Sequence, residues 1–60
     1  MSARFVIYEK SGWRWRLVAG NGETVATSEP YSSSSKARQG AENVKNVAAT
    51  AGIVNESSDD

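Results

Sequence analysis

Short blocks of alternating hydrophobic and polar residues fill the first half of the chain, and turn residues separate the blocks. Residues 4–10 are rich in β-branched and aromatic side chains, which predicts a first strand. Residues 13–19 begin Trp-Arg-Trp-Arg, so a second strand would place indoles on one face and guanidinium groups on the other. The Gly-Asn-Gly sequence at 20–22 favours a tight hairpin, because Asn-Gly tolerates positive φ angles. Residues 23–28 predict a third, weaker strand, which completes an antiparallel meander.

A different period follows Pro30, which is expected to end the strand pairing. From about residue 35 to residue 50, small and apolar residues recur every three or four positions, which predicts one amphipathic helix. The residues of this stripe are Ala37, Gly40, Ala41, Val44, Val47, Ala48 and Ala51. One serine of 33–35 is expected to cap the start of the helix, and Gly52 its end. The same serines and the two basic residues after them leave open an anion site at the helix start.

The small side chains of this stripe predict a close approach between the helix and the second strand. Trp13 and Trp15 would then lie against the helix, with Gly40 directly above an indole. Ile53 and Val54 are expected to fold back onto the same core.

The predicted fold class is therefore α+β, a three-stranded antiparallel β-meander followed by one α-helix (β-β-β-α). The domain is expected to span residues 1–54, and residues 55–60 to form a frayed acidic tail. The first strand is apolar on both faces, whereas one helix covers only one face of a sheet, so Val6 and Tyr8 would remain uncovered. We therefore expect a two-fold homodimer to complete the fold, and a marginally stable monomer is the alternative.

The composition excludes several kinds of site. The chain has no cysteine and no histidine, so it lacks disulfides, thiolate metal sites, the commonest zinc ligand and the usual general base. No catalytic residue, metal site or cofactor is predicted, and an enzyme would need an added cofactor or acids assembled across a dimer. No apolar stretch is long enough to span a bilayer and no export signal is visible, so the expected location is the cytoplasm.

The Trp-Arg-Trp-Arg strand is the main candidate for a binding surface. Single-strand binders use such aromatic and basic strips to stack bases and contact phosphates, and residues 1–38 carry a net charge of +3. Alternation separates the indoles from the arginines, however, and leaves four candidate binding residues together: Tyr8, Lys10, Arg14 and Arg16. The alternative, which we favour, is that the indoles belong to the core. The arginines then lie on a solvated face or pair with Glu9 and Glu23.

Five short motifs follow one another in a fixed order along residues 4–48. They are Phe5-x-Ile7-Tyr8, Gly12-x-x-x-Trp15-Arg16-Leu17, Ala19-x-Asn21-Gly22-Glu23, Ser28-Glu29-x-Tyr31 and Gly40-x-x-x-Val44-Lys45. Together they resemble the YegP-like domains, a family of small domains without assigned function. The resemblance implies a β-β-β-α unit that often occurs as tandem repeats, with two copies packed as one pseudo-symmetric body. This chain holds one copy, so a second molecule would supply the other, and the resemblance offers no catalytic residues.

These features together predict a small cytoplasmic homodimeric interaction or scaffold module without catalytic activity. The alternative is weak binding of single-stranded nucleic acid or another polyanion through Arg14 and Arg16. No membrane partner is predicted, and the sequence identifies no small-molecule ligand.

Overall fold

Three strands and one helix make up the protein in a computed structural model that describes residues 2–57. The elements are β1 (Arg4–Glu9), β2 (Trp13–Val18), β3 (Thr24–Thr27) and α1 (Ser34–Thr50). The strands form one antiparallel sheet in the order β1-β2-β3. This architecture confirms the predicted β-β-β-α order, and each strand is one or two residues shorter than predicted.

The register of β1 and β2 gives the sheet two different faces. The helix face carries Phe5, Ile7, Trp15 and Leu17, and α1 packs against it, with Ala41 beside Phe5 and Ile7. The open face carries Arg4, Val6, Tyr8, Arg14 and Arg16. Val18 has the same alternation, but it lies at the register shift between β2 and β3 and is 4% exposed, so it belongs to the buried core. The indoles and the arginines of β2 therefore lie on opposite faces, as alternation predicts.

The core lies between β2 and the first half of α1. Trp15 is 7% exposed and meets Phe5 edge to face, with ring centroids 5.3 Å apart and an angle of 76° between the rings. Ala37 and Ala41 are buried, so the small-residue stripe packs as predicted in this half of the helix. The second half does not pack in this way, because Val47 is 58% exposed and Ala48 and the residues after it are also exposed.

Pairing with β2 continues past the end of β3. Ser28 N donates to Trp15 O at 2.9 Å, and Trp15 N donates to Ser28 Oγ at 2.9 Å in place of a backbone carbonyl. Beyond Pro30, Trp13 and Tyr31 exchange two backbone hydrogen bonds of 3.0 and 2.6 Å. Pro30 therefore interrupts the ladder without ending it, since it has no N–H to donate and the next residue does.

Gly40 does admit an aromatic ring, but the ring is a phenol. A Cβ on Gly40 would stand 2.7 Å from Tyr31 Cζ, so the predicted indole beneath this glycine is wrong. The bridge between Trp13 and Tyr31 explains the difference, because it holds Tyr31 against β2 where the chain enters the helix.

The start of α1 is capped as expected, but its end is not. Ser33 is the N-cap, and its Oγ accepts a hydrogen bond from Lys36 N at 3.2 Å. Ala51, not Gly52, is the C-cap, and its N–H reaches Ala48 O at 3.4 Å.

The segment after α1 does not fold back onto the core, contrary to the prediction. Ile53 is 101% exposed and Val54 is 78% exposed, because the second half of the helix has already left the sheet. Residues 51–57 have no regular secondary structure. Asp59 and Asp60 of the predicted acidic tail lie outside the described residues, so the division at residue 54 stays a prediction.

Candidate binding surface

Three of the four predicted binding residues lie together on the open face. Tyr8 is directly opposite Arg14 in the β1–β2 ladder, and Arg16 lies one diagonal step away. Lys10 follows β1 in the turn and is exposed. The helix packs on the other face of the sheet, so these side chains share one surface, on which Tyr8, Arg14 and Arg16 are half-buried.

Arg14 is used to hold the turn between β1 and β2. Its Nε donates to Lys10 O at 2.8 Å, and its Nη2 donates to Ser11 O at 3.4 Å. The turn itself is tight, with φ of 53° at Ser11 and 108° at Gly12, and carbonyls in such turns need donors. Arg14 is therefore a structural residue first, and two of its five N–H donors are engaged with these carbonyls.

Arg16 is held differently. Its guanidinium carbon lies 4.9 Å from the centroid of the Tyr8 ring, which is the geometry of a cation–π contact. A contact of this kind is made by the charge of the guanidinium group and does not use its N–H donors. Within residues 2–57 these donors make no hydrogen bond or ion pair, so Arg16 presents an oriented and unused cation.

Arg4 is a third cation of this face, and the sequence analysis did not single it out. It pairs with Val18 at the start of β1 and is exposed. The signal was present in the sequence, because Arg4, Val6 and Tyr8 alternate onto one face just as Arg14 and Arg16 do.

The suggested pairing of the arginines with Glu9 and Glu23 is not found. Glu9 instead accepts a hydrogen bond from Gly12 N through Oε2, at 3.3 Å. The ion pair of the described residues lies on α1, where Arg38 Nε is 3.7 Å from Glu42 Oε2. The cations of the open face are therefore not neutralised by a neighbouring carboxylate in this part of the chain.

A second surface feature is a groove between β1 and α1, with a volume of about 390 Å³. Phe5, Ile7 and Ala41 form its apolar floor, and charged residues of the helix line its rim. At the helix start, by contrast, the Ser33 hydroxyl is already engaged as the N-cap.

Residues 2–57 contain no cluster of three or more Asp, Glu, His or Cys side chains that would suit a metal ion. In the same residues no helix is both long enough and apolar enough to cross a membrane. The side chains that the open face offers to a ligand are those of arginine, tyrosine and valine.

Known proteins resemble this chain along most of its length. The profile of a family described as a domain of unknown function (DUF1508) matches residues 9–55. A UPF0339 protein of Treponema denticola is 43% identical over 56 residues, which cover 90% of this chain and 97% of that protein. The NMR solution structure of a protein from Haloferax volcanii is similar with a TM-score of 0.78 and 38% identity, over 90% of this chain and 95% of that one. Both relatives are thus matched almost end to end by a single β-β-β-α unit.

Proposed function

This chain belongs to the DUF1508 family of unknown function, which is the family of the YegP-like domains, and we propose that it is a cytoplasmic homodimeric interaction module without catalytic activity. The observation that carries the proposal is the exposure of three aliphatic side chains in the second half of α1 and just after it. Val47, Ile53 and Val54 are all more than half exposed, and nothing in residues 2–57 covers them.

A second copy is the simplest cover for this surface. The groove beside β1 adds Phe5 and Ile7 to the uncovered apolar area, and β1 itself is an edge strand with one unpaired side. Apolar patches of this kind on so small a chain favour self-association, because one copy buries little core. The two relatives matched over nearly their whole length are also single units, so a second molecule would be needed there too.

The absence of catalysis in this proposal follows from the composition. No histidine or cysteine is present in the chain, which removes the side chains that most often serve as general base and nucleophile near neutral pH. The described surface groups instead suit contact with another macromolecule.

The dimer is tested by light scattering and analytical ultracentrifugation. The wild-type chain of 6.4 kDa should have twice its own mass at micromolar concentration. Ile53→Asp combined with Val54→Asp should give a folded monomer, because both side chains are exposed in the single chain and its own core does not need them. The matched control is Ala49→Asp, which adds charge to an exposed helix position outside the apolar stripe and should leave the dimer intact.

Two results would contradict the dimer. One is a wild-type chain that sediments as a monomer at these concentrations. The other is a double variant that keeps the dimeric mass, which would remove the end of α1 from the interface.

Binding of single-stranded nucleic acid or another polyanion is a second candidate function. The observation that favours it is the set of cations on the open face, which lack acidic partners among residues 2–57. The sequence suggested Arg14 and Arg16 as the binding residues. Because Arg14 donates to two turn carbonyls, we propose Arg16 and Arg4 instead.

A further inference from the structure

We infer that the open face binds single-stranded nucleic acid, with Arg16 and Arg4 on the phosphates and the Tyr8–Arg16 stack against a base. The inference rests on the second candidate function. It uses the face of Val6 and Tyr8, so it requires that a dimer forms elsewhere, as proposed at the end of α1. It assigns roles to particular residues, one of which, Arg4, the sequence alone did not select.

The contact of Arg16 with the Tyr8 ring prepares the arginine for binding. Arg16 Cζ lies 4.9 Å from the centroid of the Tyr8 ring, and this contact restrains the side chain, so it loses less freedom when it binds a ligand than a free arginine would. An arginine plane accepts the face of an unstacked base, and its edge donors reach a phosphate oxygen. One side chain thereby serves both parts of a nucleotide.

The cations of the open face are spread along the whole length of β1. Along β1 the open-face positions are Arg4, Val6 and Tyr8, and Lys10 follows in the turn. At about 3.4 Å per residue, Arg4 and Lys10 are roughly 20 Å apart. Donors so far apart cannot converge on one small anion, but they suit a chain that carries a charge on every unit.

The centre of the open face is apolar and aromatic. Val6 and Tyr8 lie between the two terminal cations, and Arg16 lies directly opposite Val6 in the ladder. Val6 and Tyr8 thus form a half-buried apolar and aromatic centre with cations around it, and single-strand binders combine aromatic and cationic side chains in this way. A duplex hides the faces of its bases, so this centre favours the single strand.

Few acidic side chains lie near the open face. The open-face positions of β1 and β2 hold no acidic residue, and the β3 residues opposite Arg16 and Val18 are Thr27 and Thr24. Glu9 alternates onto the helix face of β1 and accepts a hydrogen bond from Gly12 N, whereas Glu23 lies in the turn before β3. Phosphates would therefore approach cations without displacing a bound carboxylate.

The test is fluorescence anisotropy with a labelled oligothymidylate across a range of salt concentrations. Three contacts, from Arg4, Arg16 and Lys10, predict a slope of log K against log salt of about −2.1, since each phosphate contact contributes roughly −0.7 for a single strand. Arg4→Ala with Arg16→Ala should reduce the slope to about −0.7 and lower affinity at low salt by roughly tenfold or more. Arg16→Lys should keep the slope and still weaken binding, because lysine has the charge without the plane.

The matched control is Lys36→Ala with Arg38→Ala. It removes the same two charges from α1, away from the open face, and should leave the slope unchanged. Tryptophan emission shows for every variant that Trp15 is still buried, and light scattering reports the mass separately. A monomeric wild-type chain that still binds supports the inference and overturns only the dimer.

Three outcomes overturn the inference. The first is no binding of the oligothymidylate by the wild-type chain at low salt. The second is an equal loss of affinity in the open-face and the control variants. The third is equal affinity for a duplex of the same length or for heparin, which would leave a general electrostatic attraction without any contact to bases.

Discussion

The phenol ring of Tyr31 lies directly beneath Gly40 of α1, so close that a Cβ on the glycine would stand 2.7 Å from Tyr31 Cζ. Tyr31 is held there by its two backbone hydrogen bonds to Trp13. The contact ties the segment after β3, the edge of β2 and the middle of the helix together at one point. Helix and sheet therefore approach through a glycine and a phenol as well as through the buried alanines.

Gly40→Ala should destabilise the protein although alanine is the better helix former. Alanine gains about 1 kcal/mol over glycine in a helix interior. The added methyl group, however, must push the Tyr31 ring aside, and overpacking of this kind costs about 1–3 kcal/mol. We expect a net loss of up to about 2 kcal/mol in the free energy of unfolding, measured by urea denaturation at one fixed protein concentration.

Gly52→Ala is the matched control, because a Cβ there meets nothing within 4 Å. Its unfolding free energy should not decrease. In a Tyr31→Leu background the Gly40→Ala penalty should shrink, which a double-mutant cycle would show as a coupling between the two sites. A Gly40→Ala variant more stable than the wild type would contradict the close contact.

The elements of the fold are predictable from the sequence because they depend on local spacing. Alternation in β1 and β2 and the three-to-four-residue stripe of α1 are properties of neighbouring residues. The same alternation correctly separates the tryptophans from the arginines, and it would also have identified Arg4.

The features that the sequence did not reveal depend on distant contacts. Tyr31 takes the place beneath Gly40 because pairing resumes beyond Pro30, which no local pattern indicates. The exposure of Ile53 follows from relative lengths. A helix of 17 residues is about 25 Å long, whereas a strand of 6 residues spans about 20 Å, so the helix extends past the sheet that would cover its end.

Gly12→Ala should cost more stability than Gly22→Ala. Both glycines have positive φ, 108° and 92°, so each alanine pays a backbone penalty of about 1–2 kcal/mol. At Gly12 the new Cβ would also stand 2.6 Å from Pro30 Cβ, whereas at Gly22 it meets nothing within 4 Å. The difference between the two losses in urea denaturation measures the contact between the first turn and Pro30, and equal losses would show that this contact is absent.

Arg14→Ala and Arg16→Ala should separate the structural arginine from the binding one. Arg14 donates to two turn carbonyls, so its removal should lower the free energy of unfolding by about 1 kcal/mol. Arg16 makes a partly exposed cation–π contact, for which about 0.5–1 kcal/mol is the expected loss. In the oligothymidylate titration the order should reverse, because all the N–H donors of Arg16 are available, whereas two of the five donors of Arg14 are engaged with turn carbonyls.

The two measurements together decide which arginine carries the function. Arg14→Lys should not restore stability, since one ammonium group cannot reproduce the fork that reaches the carbonyls of Lys10 and Ser11. If Arg14→Ala instead keeps full stability and loses binding as strongly as Arg16→Ala, the hydrogen bonds of Arg14 do not restrain it. The pair Arg14 and Arg16, as the sequence first suggested, would then be the binding residues, and Arg4 would have no part in the surface.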